Sequence, residues 1–153
     1  MRVIIQRVHQ ANVKVDNEII SEIGKGLLLL VGITQDDSET DVDYLAKKVL
    51  GLKLFPGEDN KEWKESVITI QGEILSVSQF TLYSKTSKGT KPDFHRALHS
   101  SQSKPIYDLF MERLKSGYDA EKVKNGAFGA FMDVGLNNDG PVTIILDSKD
   151  KLY

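Results

Sequence analysis

The run Gly24-Lys25-Gly26-Leu27-Leu28-Leu29-Leu30-Val31-Gly32-Ile33 decides the fold class. Its first residues make a turn. The apolar residues over 27–33 suit a strand buried on both faces. Leu27 to Val31 is the longest uninterrupted apolar stretch in the chain, far short of the ~20 residues a membrane helix needs. Soon after it, Ser38 followed by Asp41 resembles a capping box, with Asp in place of the usual Glu. Val42, Leu45, Ala46, Val49 and Leu50 then follow helical spacing and form one apolar stripe.

Upstream of this strand, residues 2–9 carry Val3, Ile4, Ile5 and Val8, a β-rich opening. Val13-Lys14-Val15 alternates, and Asp16-Asn17 supplies a turn before Ile19-Ile20. Downstream, Pro56-Gly57 breaks the chain. Residues 67–70 and 73–83 read as strands joined at Gln71-Gly72, and residues 84–104 are polar and irregular. A second helix fits 104–116, with Ser103 as N-cap, Pro105 in the first turn and Gly117 at its end. Its Ile106, Leu109, Phe110 and Leu114 share a face. A short helical piece is expected around 120–124. Two last strands, about 128–136 and 141–147, flank a turn at 137–140. This order predicts the α/β class: a single domain over 1–153, of mixed and antiparallel β-sheets covered by two main helices.

A chain of 153 residues buries roughly 70% of its unfolded surface, enough for a core without staples. It has no cysteine, which removes disulfides, thiolate nucleophiles and cysteine metal sites. The N-terminus lacks the basic start, apolar run and cleavage site of a signal peptide. The expectation is a cytoplasmic protein with no membrane partner. The net charge is −2, whereas a protein that grips a long duplex is usually basic. Any nucleic acid is therefore touched locally or not at all.

On a strand over 73–83, side chains alternate. Leu75, Val77, Gln79, Thr81 and Tyr83 then share a face, and Ser78, Phe80 and Leu82 share the other. An amide and a hydroxyl two residues apart suit a pocket for a polar ester. From pattern alone, a strand end reaching water with both groups solvated is the favoured reading. Asn138-Asp139-Gly140 between strand-like segments is a hairpin signal. Pro141 follows it, and an X-Pro bond takes the cis form at a cost of only ~0.5–1 kcal/mol. Lys85, Lys88, Lys91 and Arg96, interleaved with Pro92 and Phe94, form a basic loop that reads first as a solvated segment. No Gly-x-Ser-x-Gly elbow, Walker A loop or Rossmann fingerprint is present. His95 and His99 are four apart, but no third ligand has supporting spacing. No metal and no cofactor are expected.

Ser78-Gln79-Phe80-Thr81 and Asn138-Asp139-Gly140-Pro141-Val142-Thr143 resemble, in order and spacing, the two signature motifs of the D-aminoacyl-tRNA deacylases. The resemblance runs from Arg2 to the last strand. It implies hydrolysis of the ester joining a D-amino acid, and glycine as well, to tRNA. It implies that Ser78, Gln79, Phe80 and Thr81 line the active site. It implies a homodimer in which a cis Gly140-Pro141 loop enters the other subunit's site and rejects L-amino acids. Residues 126–132 resemble the family's Phe-Gly-Ala-x-Met segment, so Phe128 and Met132 are expected to hold the terminal adenosine of the tRNA. Arg7 is expected to support the Gly-Pro loop, and Lys85, Lys88, Lys91 and Arg96 to approach the tRNA backbone. Catalysis in the family looks RNA-assisted, through the 2′-hydroxyl of the terminal ribose. Two rivals stay open: a same-fold editing enzyme that removes a mischarged L-amino acid, and a non-catalytic RNA-binding dimer.

Overall fold

The β-rich opening forms a strand longer than its apolar start: β1 runs unbroken over Arg2–Val15. Asp16 and Asn17 take φ of 51° and 66° and turn the chain into β2 (Glu18–Ile23). After a bend at Gly24-Lys25, β3 (Gly26–Gly32) continues along the same edge of β1. β2 and β3 thus pair antiparallel with successive parts of one long strand. A Cβ at Gly26 would lie 1.8 Å from the Glu73 carbonyl oxygen, so only glycine allows the next strand this close. The computed structural model describes residues 1–150.

Helix α1 (Glu39–Gly51) begins where the capping pattern places it. The Ser38 N–H and hydroxyl both donate to Asp41 Oδ2 at 2.8 Å, and Lys149 Nζ adds a contact at 3.0 Å. Burial acts to raise the Asp41 pKa. Hydrogen bonds from Ser148, Lys149 and Ser38 outweigh it and hold the carboxyl well below the usual range. Asp41→Asn is expected to destabilise the protein by about 1–2 kcal/mol in urea denaturation at neutral pH. Because the folded pKa is depressed, this contribution is full above the unfolded value near ~4 and is lost as pH falls toward the folded one.

β4 (Lys53–Phe55) and β5 (Glu65–Ser66) form a small antiparallel pair. The strand expected over 67–70 is a turn instead. The Ser66 N–H donates to Thr69 Oγ1 at 2.8 Å, and the Ile70 N–H to the Ser66 carbonyl at 3.2 Å. Such local bonds compete with strand pairing. β6 (Glu73–Ser78) lies parallel to β3 and stops at Ser78, short of the expected end at 83. Residues Phe80–Tyr83 wind into a 3-10 turn.

Helix α2 (Ser100–Gly117) starts before the expected 104, and His99 rather than Ser103 is its N-cap. Pro105 therefore sits inside the helix rather than in its first turn. After a 3-10 turn at Ala120–Lys122, β7 (Val123–Asn125) pairs parallel with β6. The last strand, β8 (Asp133–Asp147), runs antiparallel along the free edge of β1.

β8 overturns the hairpin reading. Lys14 to Val8 pair with Asp133 to Asn138, and Gln6 to Arg2 pair with Thr143 to Asp147. The chain keeps its direction, and residues 139–142 bulge out between two paired halves. The turn signal is local; the long partner strand holds both flanks and prevents reversal.

Burial on both faces of β3 gives two cores. Leu27, Leu29 and Val31 meet Val42, Leu45 and Val49 of α1, with Phe110 and Leu114 of α2. Leu28 points the other way and packs with Val8, Val13, Leu75 and Val77. Val134 of β8, paired with Val13, and Met132 just before it pack against this second cluster.

Candidate active site

At the C-terminal ends of the parallel strands β3 and β6 opens a cavity of about 540 Å³. This is where open α/β sheets usually bind ligands. Val31, Ile33 and Val77 form its apolar floor. Ser78, Gln79 and Phe80 line one side, and Phe128 and Met132 another. Phe94, His99, Ser100 and Ser103 complete the wall.

Gln79 is held by its own backbone. Its N–H donates to the Val31 carbonyl at 2.7 Å, which fixes the point where the chain leaves the sheet. Its side-chain Nε2 donates to Thr81 Oγ1 at 2.5 Å. Strand alternation predicts that these two groups lie together; the 3-10 turn is what joins them. Thr81 does not line the cavity. Its hydroxyl orients the Gln79 amide. The first N–H groups of such a turn, here those of Phe80 and Thr81, have no acceptor within it. Phe80 is 57% exposed and meets Phe94 edge-on, with ring centroids 5.1 Å apart. Tyr83 closes the turn beneath the Arg2 guanidinium, 5.0 Å from its ring centroid, and burial pushes its phenol pKa up.

Phe128 and Met132 lie on the turn that precedes β8 rather than on the strand expected over 128–136. Gly129, with φ of 74°, makes that turn possible. Phe128 packs on Tyr107 at 5.3 Å between ring centroids, and Lys104 Nζ lies 6.0 Å from its own.

Gly140 and Pro141 do not line this chain's cavity. They sit on the bulge of β8, joined by a cis peptide bond. Asn138 Nδ2 bridges the base of the bulge, donating to the carbonyls of Arg7 at 2.9 Å and Val142 at 3.1 Å. Arg7 is 4% exposed. Its Nη1 donates to the Leu54 carbonyl at 2.6 Å and to Glu62 Oε2 at 2.7 Å. Its Nε lies 3.1 Å from Asp139 Oδ2, close enough for an ion pair but out of line for a hydrogen bond. A buried guanidinium in an apolar strand needs such partners, and they tie the bulge to the segment before β5.

The basic side chains of the loop stand apart from the cavity. Lys88, Lys91 and Arg96 are exposed, Lys85 is half-buried, and none lines it. Arg96 borders a separate groove with Arg2 and Lys149. The loop does contribute Phe94 to the cavity. His95 pairs with Asp93 at 2.7 Å while His99 caps α2, so the two histidines do not share a helix face. Among the described residues, no group of three or more His, Asp or Glu side chains could hold a metal ion. No helix among them is long and apolar enough to cross a membrane.

Phe94, His99, Ser100 and Ser103 are wall residues that were not expected from the sequence. Phe94 carried a signal, an aromatic ring within a basic loop. The serines carried none, since their place depends on where α2 begins.

The profile of the family described as D-Tyr-tRNA(Tyr) deacylase matches residues 4–147. A D-aminoacyl-tRNA deacylase of Candida glabrata is 54% identical over 150 residues, covering 98% of this chain and 100% of that one. A solved structure described as c-Myc DNA Unwinding Element Binding Protein superposes with a TM-score of 0.92 at 45% identity, covering 96% of this chain and 98% of that one. A second, of a probable eukaryotic D-amino acid tRNA deacylase, shares the fold with a TM-score of 0.80 at 21% identity, covering 95% and 97%. The family match spans both signature motifs and the strands that carry them, and the chain belongs to the D-aminoacyl-tRNA deacylase family.

Proposed function

We propose that this protein hydrolyses the ester of D-aminoacyl-tRNA, and of glycine mischarged on tRNA, as a proofreading step in translation in the cytoplasm. The observation that carries this reading is one cavity that joins Ser78, Gln79 and Phe80 to Phe128 and Met132. Phe128 offers a face on which the terminal adenine stacks, an interaction worth ~1–3 kcal/mol. The amino-acid ester then lies toward Gln79 and Phe80. Water adds to the ester carbonyl, the C–O bond to the ribose breaks, and the free D-amino acid leaves intact tRNA. The ribose 2′-hydroxyl assists the attacking water. Backbone N–H groups at the start of the 3-10 turn stabilise the oxyanion that forms.

The active form in this reading is a homodimer. The bulge of one subunit enters the cavity of the other, and the backbone carbonyls of Gly140 and Pro141 face the substrate α-carbon. The side chain of an L-amino acid collides with them, whereas a D-amino acid and glycine do not. A clash of ~4 kcal/mol gives roughly thousandfold discrimination. Lys85, Lys88, Lys91 and Arg96 guide the acceptor stem.

The purified protein is expected to release the amino acid from D-aminoacyl-tRNA well above the spontaneous rate, and release at the spontaneous rate would contradict the proposal. Replacing the terminal 2′-hydroxyl by hydrogen should slow the reaction by ~100-fold or more. Thr81→Val keeps the side-chain shape and removes the hydroxyl. Single-turnover rates are expected to fall about tenfold or less, through loss of one hydrogen bond to Gln79. A nucleophilic Thr81 would instead cost more than ~1,000-fold.

A further inference from the structure

Tyr107 lies behind the cavity rather than in it, fully buried on α2. Its hydroxyl is 2.9 Å from Ser76 Oγ on β6 and 2.7 Å from Asn125 Oδ1 on β7. A phenol has one proton, and an amide oxygen only accepts. The Tyr107 proton therefore goes to Asn125, and the Ser76 hydroxyl donates to the phenol oxygen. Burial pushes the phenol pKa up, so the proton stays in place at working pH.

The three elements joined here are those that carry the cavity wall. Ser76 lies two residues before Ser78 on β6. The Gly126 N–H, next to Asn125, donates to the Ser76 carbonyl at 2.8 Å and begins the turn that bears Phe128. The Tyr107 ring then backs Phe128 directly, at 5.3 Å and tilted by 45°. We propose that Tyr107, with Ser76 and Asn125, is a positioning residue that sets the Phe128 ring for the terminal base of the tRNA. The inference rests on the function proposed above, in which Phe128 takes that base.

Ser76 is fully buried, so loss of the phenol strips its hydroxyl of a partner, whereas Asn125 is exposed and regains water; a half-satisfied network loosens its surroundings. Tyr107→Phe keeps the ring and leaves Ser76 and Asn125 without the phenol. KM for D-aminoacyl-tRNA is expected to rise about tenfold, with kcat within about twofold of wild type. A variant that only weakened the fold would not split the two constants in this way. Val49→Ala, in the α1 core away from the cavity, is the matched destabilised control and should leave KM unchanged. The effect should also vanish in a Phe128→Ala background, because Tyr107 acts through that ring.

An unchanged KM in Tyr107→Phe, an equal rise in Val49→Ala, or an undiminished effect in the Phe128→Ala background would each overturn the positioning role. Activity of the wild-type protein on the same substrate separately tests the proposed function. An active wild type with an unaffected variant defeats only this inference.

Discussion

Gly140→Ala is expected to slow D-aminoacyl-tRNA hydrolysis by at least about a hundredfold while the protein stays folded. Gly140 holds φ at 114°, a region that side chains rarely adopt. A Cβ there would lie 2.9 Å from Val142 Cγ2 and 3.2 Å from an Arg7 guanidinium nitrogen. Those two side chains can give, but the positive φ and a 3.2 Å approach to the Val142 backbone nitrogen strain the bulge itself, and the shift that relieves them moves the carbonyls proposed for the chiral filter. The bulge lies outside the two cores, so the cost to stability should stay near ~1–3 kcal/mol. Single-turnover kinetics beside a thermal melt check both parts. A folded variant with wild-type rate would remove the bulge from the reaction.

Arg7→Ala is expected to act on both stability and rate. It removes the partner of the Leu54 carbonyl, Glu62 and Asp139 from a position 4% exposed. Breaking a buried ion pair from one side costs about 3–5 kcal/mol. Glu62 is 45% exposed and regains water, so the loss should fall near the lower end, ~3 kcal/mol. The bulge loses its tether at Asp139, and hydrolysis should fall by about a hundredfold. Arg7→Lys should not restore either property, because one ammonium cannot reproduce the planar fork that reaches these partners. Urea denaturation gives the stability change, and kinetics on the folded fraction give the rate.

What could be read from sequence is what neighbours in sequence decide. The cap at Ser38 and Asp41, the α1 stripe and the doubly buried 27–33 run depend on residues within a few positions. The errors share another cause. The bulge at 139–142 reads as a hairpin because its local signal is a turn; its geometry comes from β1, more than a hundred residues earlier. Alternation carries the strand bearing Gln79 on through Tyr83, although the chain bends once the Gln79 N–H meets Val31. Tyr107 carried no functional signal, since an aromatic residue on a helix reads as core, and its role depends on partners from two other strands. The site residues themselves were singled out by family resemblance. Pattern alone favoured a solvated Gln79 and Thr81 over a catalytic pair.

The most direct test compares deacylation of D-tyrosyl-tRNA and L-tyrosyl-tRNA by the same preparation, with and without a chelator. Fast loss of the D-ester is expected, with an L-ester that decays at its spontaneous rate and no effect of the chelator. Equal rates for the two esters, or no hydrolysis of either above background, would contradict the proposed function.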